Sequence, residues 1–366
     1  MNLAIGAIDQ IFSLAGFLLF FLVLEYIYSN YRLFTLEVNW LQWVLAYIAV
    51  DFVSYWYHRL SHEVNFLWAG HITHHSSDHY NYSNGFRLSP FQGLNRILFY
   101  VALPLIGFSP LVLVVTFKIS GIFDFFQHTQ HVPKLGFLEK IFITPSIHRV
   151  HHGKNDLYLD KNYGSNFVIW DKLFGTYQEE TEPVVYGITN EDYVDDNPVR
   201  AIFFHYDYLW NTMKSIPRWR DKIKLLFMPP SWKPDDLDSS AKPIKKENLQ
   251  VQAIHRQYAF IQLFCCIIGI ISLLAFKDFL TIWIFLFFAM SCIIGMVNSA
   301  MTLNNNINSN FRNRELARLL ITGIIVSFLF LVQPQYYLLF VLCYLLTSLI
   351  LASRFPMSSS KKVLSM

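Results

Sequence analysis

Charge is scarce in this chain. Only 15% of its 366 residues are Asp, Glu, Lys or Arg, where a soluble domain carries about 25%. With 54% hydrophobic residues, the shortfall points to lipid as the main solvent. Cysteine is scarce too. Cys265, Cys266, Cys292 and Cys343 all lie in apolar stretches and none has CxxC spacing, which excludes a thiolate metal site and gives no disulfide framework; they read as small buried hydrophobes. The net charge is only +3 and no Lys/Arg run alternates with aromatics, so nucleic acid is not an expected partner. There is no GxGxxG and no CxxCH haem site. H-E-x-x-H is missing as well: Glu63 follows His62, but the residue three beyond it is Phe66, which argues against an intramembrane zinc protease. The N-terminal MNLAIGAIDQIFSLAG lacks a basic leader and a cleavage site, so a retained first membrane helix is expected there.

What is present is apolar and aromatic, with 34 Phe and 20 Tyr. A bilayer-spanning helix needs about 20 apolar residues. Candidate spans are Ile11–Tyr28, Trp40–Tyr57, two helices within Leu94–Phe126 separated by a hairpin near Gly107–Pro110, then Tyr258–Phe276, Phe279–Val297, Leu319–Val332 and Tyr336–Ala352. An all-α integral membrane protein of about eight spans is therefore expected. Residues 1–256 form one membrane domain with a polar cap, and residues 257–366 form a four-helix region. The stretch Lys214–Lys246 reads as a surface segment or linker, and Asn304–Asn306 as a polar turn. Arg59, Arg87, Arg149, Lys154, the basic residues of 200–256, Arg312, Arg314, Arg318 and Lys361–Lys362 all fall on one side. The positive-inside rule makes that side cytoplasmic, together with both termini. Lys118 falls inside a span without an evident reason.

Thirteen histidines are present, and eleven of them lie between His58 and His152. Three boxes stand out: HRLSH (His58, His62), HITHH (His71, His74, His75) and HRVHH (His148, His151, His152), with HTQH (His128, His131) between the last two. Each holds an i, i+3 or i, i+4 pair, which shares one helix face, so each box can present its imidazoles to one centre. Two ions with about four or five ligands each require about eight to ten donors. The three boxes supply eight, and His128 and His131 extend the set. Imidazole suits Zn, Cu, Fe and Ni alike, so residue type alone does not name the metal. His205 and His255 stand alone and read as ordinary side chains. A transporter would place such groups at the bilayer midplane; these lie at or beyond the ends of spans.

The boxes, with DFVSYWYHR leading into the first and DKLFGT after the third, resemble the fatty acid hydroxylase/sterol desaturase superfamily of membrane di-iron enzymes. The strings HRLSHEVNFLWAGHITHHSSDHYNYS and TPSIHRVHHGKNDLYLDKNYGSNFVIWDKLFGT resemble its alkylglycerol monooxygenase subgroup over about residues 40–180. The resemblance implies two Fe2+ ions on His58, His62, His71, His74, His75, His148, His151 and His152, with His128 matching a further family histidine. It implies O2-dependent hydroxylation of a lipid C–H bond, cleavage of an ether lipid to an aldehyde and a glycerol derivative, and tetrahydrobiopterin as reductant. Electrons then come from an external donor. A sterol, carotenoid or fatty acyl hydroxylase or desaturase with the same core is the rival within the family. Gln130 stands where the subgroup has an acidic residue, and His79 and His131 also depart from it. Glu63 matches an acidic residue of the subgroup and is expected to orient a ligand histidine. Asp51, two helical turns before His58, is expected to support a ligand or a neighbouring helix. Asn162, Tyr163, Trp170 and Asp171 are expected to fold the segment after the third box over the site.

Overall fold

The computed structural model describes residues 1–189, 197–234, 253–275, 282–303, 311–332 and most of 345–353. Among the described residues the regular elements are helical, and β pairing is confined to two isolated bridges, Phe142 with Phe167 and Gly153 with Tyr186. The chain divides into two compact units, one of Asn2–Asp195 with Arg200–Ile244, the other of Lys245–Met366 with Asp196–Val199 and Met1.

The first unit contains α1 (Asn2–Tyr31), α2 (Trp40–Glu63), α3 (Asn65–His75), α4 (Pro90–Tyr100), α5 (Ala102–Ile106), α6 (Pro110–Gln127), α7 (Pro145–His151) and α8 (Ile169–Phe174), and nearly all of α9 (Pro198–Ser215) with α10 (Trp219–Phe227). Asn39 starts α2: its side chain accepts from the Leu41 and Gln42 N–H groups at 3.0 and 3.1 Å, satisfying donors that a helix start leaves free. The helix runs past Tyr57 to Glu63, so the first histidine box is helical. At Val64 the backbone becomes extended (φ −116°, ψ 115°), and α3 begins with the second box in its last turns. Pro90, Pro110 and Pro145 each occupy a helix start, where the missing N–H costs nothing. The expected break near Gly107 is present, with φ +115°. A Cβ there would clash with the Phe34 carbonyl, so glycine is required on two counts.

Phe20, Leu24, Ala46, Val50, Tyr100, Leu103, Val112 and Leu113 form the core that joins α1, α2, α4, α5 and α6. The outer faces are also apolar: Leu22, Leu41, Val44, Leu98, Leu111 and Ile122 are exposed. So large an apolar surface marks a membrane or partner contact. Among the described residues α6 is long and apolar enough to cross a membrane; Gly16–Tyr31, Gln257–Cys266 and Phe287–Thr302 are shorter apolar helical stretches. Lys118 now has a local account, because its ammonium lies 4.3 Å from the Phe17 ring centroid, a cation–π contact.

Of Lys214–Lys246, expected as a surface segment or linker, the described part is a largely exposed surface segment that is helical in the middle. Trp219–Phe227 is helical and docks on the start of α3, where the Asn65 amide donates to Leu225 O at 3.0 Å. His205 is buried and donates to Asn65 Oδ1 at 2.6 Å, so it braces the same junction. The second unit contains α11 (Ala253–Ala275), α12 (Ile282–Leu303) and α13 (Phe311–Val332). Asn304–Asn306 and most of Tyr336–Ala352 lie outside the described residues.

Candidate metal centre

Nine histidines of the first unit converge into two groups. His58, His62, His71, His75 and His151 form one, and His74, His128, His148 and His152 the other; within each group one ring nitrogen per residue lies within 4.8 Å of the rest. Helical phase sorts them. At about 100° per residue, i and i+4 stay within about 40° of each other while adjacent residues diverge by about 100°. His58/His62, His71/His75 and His148/His152 therefore remain together, whereas His74 parts from His75 and His151 from His152. The expectation that each box faces one centre is corrected: the second and third boxes each feed both groups.

His128 caps α6 and belongs to the second group. His131 does not join either group and is exposed, because α6 ends at Gln127 and no helical i, i+3 relation carries it back. His79 is likewise exposed and outside both.

Backbone carbonyls set the tautomers. His58 Nδ1–H donates to Tyr163 O at 2.9 Å, His74 to Arg87 O at 3.3 Å, His128 to Asp124 O at 2.9 Å and His151 to Lys161 O at 3.0 Å. A proton held on Nδ1 leaves a lone pair on Nε2. His71 Nδ1 contacts the Gln92 side-chain amide, whose two ends are equivalent in shape, so it too can hold its proton there.

The Nε2 atoms face one another. His58–His71 and His71–His75 are separated by 3.0 Å, and His75–His151 by 3.2 Å. In the second group His74–His128, His128–His148 and His148–His152 are 3.3, 3.1 and 3.2 Å apart. Where both rings carry the proton on Nδ1, as in His58–His71 and His74–His128, the contact sets lone pair against lone pair and is not a hydrogen bond. Imidazole nitrogens bound to one ion at about 2.1 Å lie about 3.0 Å apart at right angles and about 3.4 Å apart at tetrahedral angles. The donor set thus fits one cation in each group. The buried His62 Nε2 has no protein partner, which also fits a ligand role. Burial disfavours the charged imidazolium throughout: it pushes His128 and His151 down to about 4, and the other seven well below the usual histidine range. Neutral imidazole is the form that binds a metal.

The segment after the third box holds the two carbonyls that orient His58 and His151. Asn162, at φ +57°, donates to Ile147 O and Gln178 O at 3.0 and 2.7 Å. Asp171 accepts from the Tyr163 and Gly164 N–H groups at 2.7 and 2.8 Å. Asp51 reaches over from α2 and accepts from Asn166 N–H at 2.7 Å and Trp170 Nε1–H at 2.8 Å. Asp51 is thus tied to this segment and not to a histidine. Glu63 does not reach a histidine either: it pairs with Arg59 at 2.8 Å and is about two-fifths exposed. The sequence reading missed Gln92. Its signal was a polar stripe, Gln92, Asn95 and Arg96, at helical spacing in an otherwise apolar α4.

Residues 43–176 match the fatty acid hydroxylase family. Human alkylglycerol monooxygenase is 43% identical over 211 residues, covering 57% of this chain and 47% of that protein. The Caenorhabditis elegans alkylglycerol monooxygenase is 33% identical over 251 residues, 64% of this chain and 48% of that protein. An ornithine lipid hydroxylase of Rhizobium tropici is 34% identical over 143 residues, 39% of this chain and 43% of that protein. The chain spans about half the length of the curated relatives it matches. No solved structure matches it.

Proposed function

With residues 43–176 matching the fatty acid hydroxylase family, we propose that this chain is a membrane monooxygenase that hydroxylates a lipid with O2. The observation that carries this reading is the convergence of nine neutral imidazoles in two groups, one ring nitrogen of each within 4.8 Å of the others in its group, inside the matched segment. His58, His62, His71, His75 and His151 would hold one Fe2+, and His74, His128, His148 and His152 a second. Bound iron supplies the reduction of O2 and the oxidation of an unactivated C–H bond.

The chain's own residues prepare the site. Tyr163 O and Lys161 O fix the rings of His58 and His151, and Asp51 and Asp171 hold the segment that bears those carbonyls. The Tyr80 ring stacks on Tyr186 at 4.7 Å and lies 5.1 Å from His152, covering the second group against water. The apolar outer faces and the distribution of Lys and Arg support about eight spans with the histidines on the cytoplasmic side. Residues 1–256 would be the catalytic membrane domain with its cap, and 257–366 an accessory four-helix region.

The names of the relatives at 33–43% identity favour an ether lipid of the alkylglycerol type. Hydroxylation beside the ether oxygen gives a hemiacetal, which breaks down to an aldehyde and a glycerol derivative. An external donor supplies electrons, with tetrahydrobiopterin the first to try. A second reading, hydroxylation of another lipid without cleavage, is favoured by the similarity to an ornithine lipid hydroxylase. The test is purified, iron-loaded protein given O2, an alkylglycerol and reduced pterin. Aldehyde is the expected product. Turnover of a different lipid with another donor overturns the ether reading, and metal-independent behaviour with no oxygen use across a lipid panel overturns the enzyme.

A further inference from the structure

A cavity of about 150 Å³ lies between α2, α4 and α6 and reaches both histidine groups, with His58 and His71 on one side and His74, His128 and His148 on the other. Its size suits a small polar head and not a whole alkyl chain. Phe117 and Leu88 line part of it, but so do Ser54, Gln92, Arg96 and Gln127.

The arginines near the histidines differ in what they hold. Arg149 is paired with Glu180 at 2.6 Å and donates to Thr129 O and Val132 O. Arg87, fully buried, donates to Thr73 O, Asn2 Oδ1 and Ser76 Oγ. Arg59 is paired with Glu63. Arg96 is different. Its guanidinium lies 5.3 Å from the Tyr57 ring centroid and 5.4 Å from that of Phe117, interacts with the Tyr57 hydroxyl and at longer range with the Asp9 and Asp124 carboxylates, and among the described residues it has no direct ion pair. Arginine carries five donors in a planar fork, and a cation placed among membrane helices marks a functional site by default. Gln127 adds the opposite chemistry, since its NH2 donates to Ser165 O and its buried amide oxygen has no partner; Gln92, whose oxygen accepts from His71 Nδ1–H, turns its NH2 the other way.

Donors on Arg96 and Gln92 and an acceptor on Gln127 suit a ligand that both donates and accepts, which is what hydroxyl groups do. A phosphate only accepts, and it would face the Gln127 oxygen and the Asp124 carboxylate, which also lines the cavity. We propose that Arg96, with Gln92 and Gln127, binds the hydroxylated, uncharged head of an amphiphilic substrate in this cavity and so sets which carbon lies against the histidines. The inference rests on the lipid monooxygenase reading and names the substrate class for it.

The test uses the full-length, iron-loaded protein in nanodiscs, as wild type, Arg96→Gln and Arg96→Lys. Equilibrium binding is measured for hexadecylglycerol, hexadecyl methyl ether and hexadecyl phosphate. Arg96→Gln should weaken hexadecylglycerol by about tenfold to a hundredfold, the worth of a charged hydrogen bond, and leave the methyl ether unchanged, with Arg96→Lys recovering part of the loss. An equal loss for both ligands, no loss for hexadecylglycerol, or wild-type preference for the phosphate overturns the assignment. Wild-type protein that binds hexadecylglycerol in this Arg96-dependent way but forms no aldehyde refutes the ether-cleavage reading and leaves the binding site standing.

Discussion

The two units bury polar groups in opposite ways. In the second unit Glu315, fully buried, accepts from Tyr258 Oη–H and Asn298 Nδ2–H and from Arg318 at 2.6 and 2.9 Å, and Arg318 also donates to Gln262 Oε1 and Ser291 O at 3.0 Å. In each of these bonds a donor meets an acceptor. In the first unit His58 and His71, and His74 and His128, meet lone pair to lone pair, an arrangement that protein groups alone cannot satisfy. A buried polar cluster in which donors meet acceptors braces a fold; one that leaves like poles facing each other is built around something else.

Substitutions can break this contrast, and the largest effect belongs to the histidine cluster. His151→Ala should remove bound iron and lower activity by at least about a hundredfold, more than loss of an outer partner of a ligand; iron per protein and turnover measured together check it. Glu315→Ala acts on the second unit's cluster and takes the carboxylate away from the buried Arg318. It should cost about 3–5 kcal/mol of stability, seen as a lower Tm, while folded protein keeps its iron content.

Acid separates the clusters next. The buried histidines bind protons less readily folded than unfolded, where the pKa is about 6.5. The unfolded chain therefore takes up more protons as pH falls below about 6.5, and stability falls with it. At pH 5, His128 and His151, with folded values of about 4, each contribute about 2 kcal/mol of loss. Metal-free protein should melt at lower temperature at pH 5 than at pH 7, and His128→Asn should shrink the difference. The smallest effect sharpens the comparison from outside both clusters. Glu63→Gln, in a half-exposed pair with Arg59, should change stability by less than about 1 kcal/mol and leave iron content at the wild-type level by metal analysis.

The histidine boxes were legible because eleven of thirteen histidines bunch within one stretch. Their division into five and four was not, since it depends on the phase of α3 and α7 and on their approach in space. His131 looked like a donor by spacing, but only the end of α6 at Gln127 shows why it is left out. Asp51 was legible as an inward-facing carboxylate; its partners Asn166 and Trp170 lie more than a hundred residues away, beyond the reach of periodicity. The break at Gly107 was visible as Pro and Gly in an apolar run. The Glu315–Arg318 network was hidden, because an i, i+3 pair of opposite charge looks the same in sequence whether it faces solvent or is sealed among helices.

The crossing of the second and third boxes between the two groups bears on how metal is taken up. His74 and His75 are neighbours on one short helix, as are His151 and His152 at the end of another, yet each pair is divided between the two groups. A metal ion taken up by one group would steady a helix end that the other group also needs. Uptake should then be cooperative, with a steep isotherm and few singly loaded molecules, and native mass spectrometry during iron titration would resolve the populations.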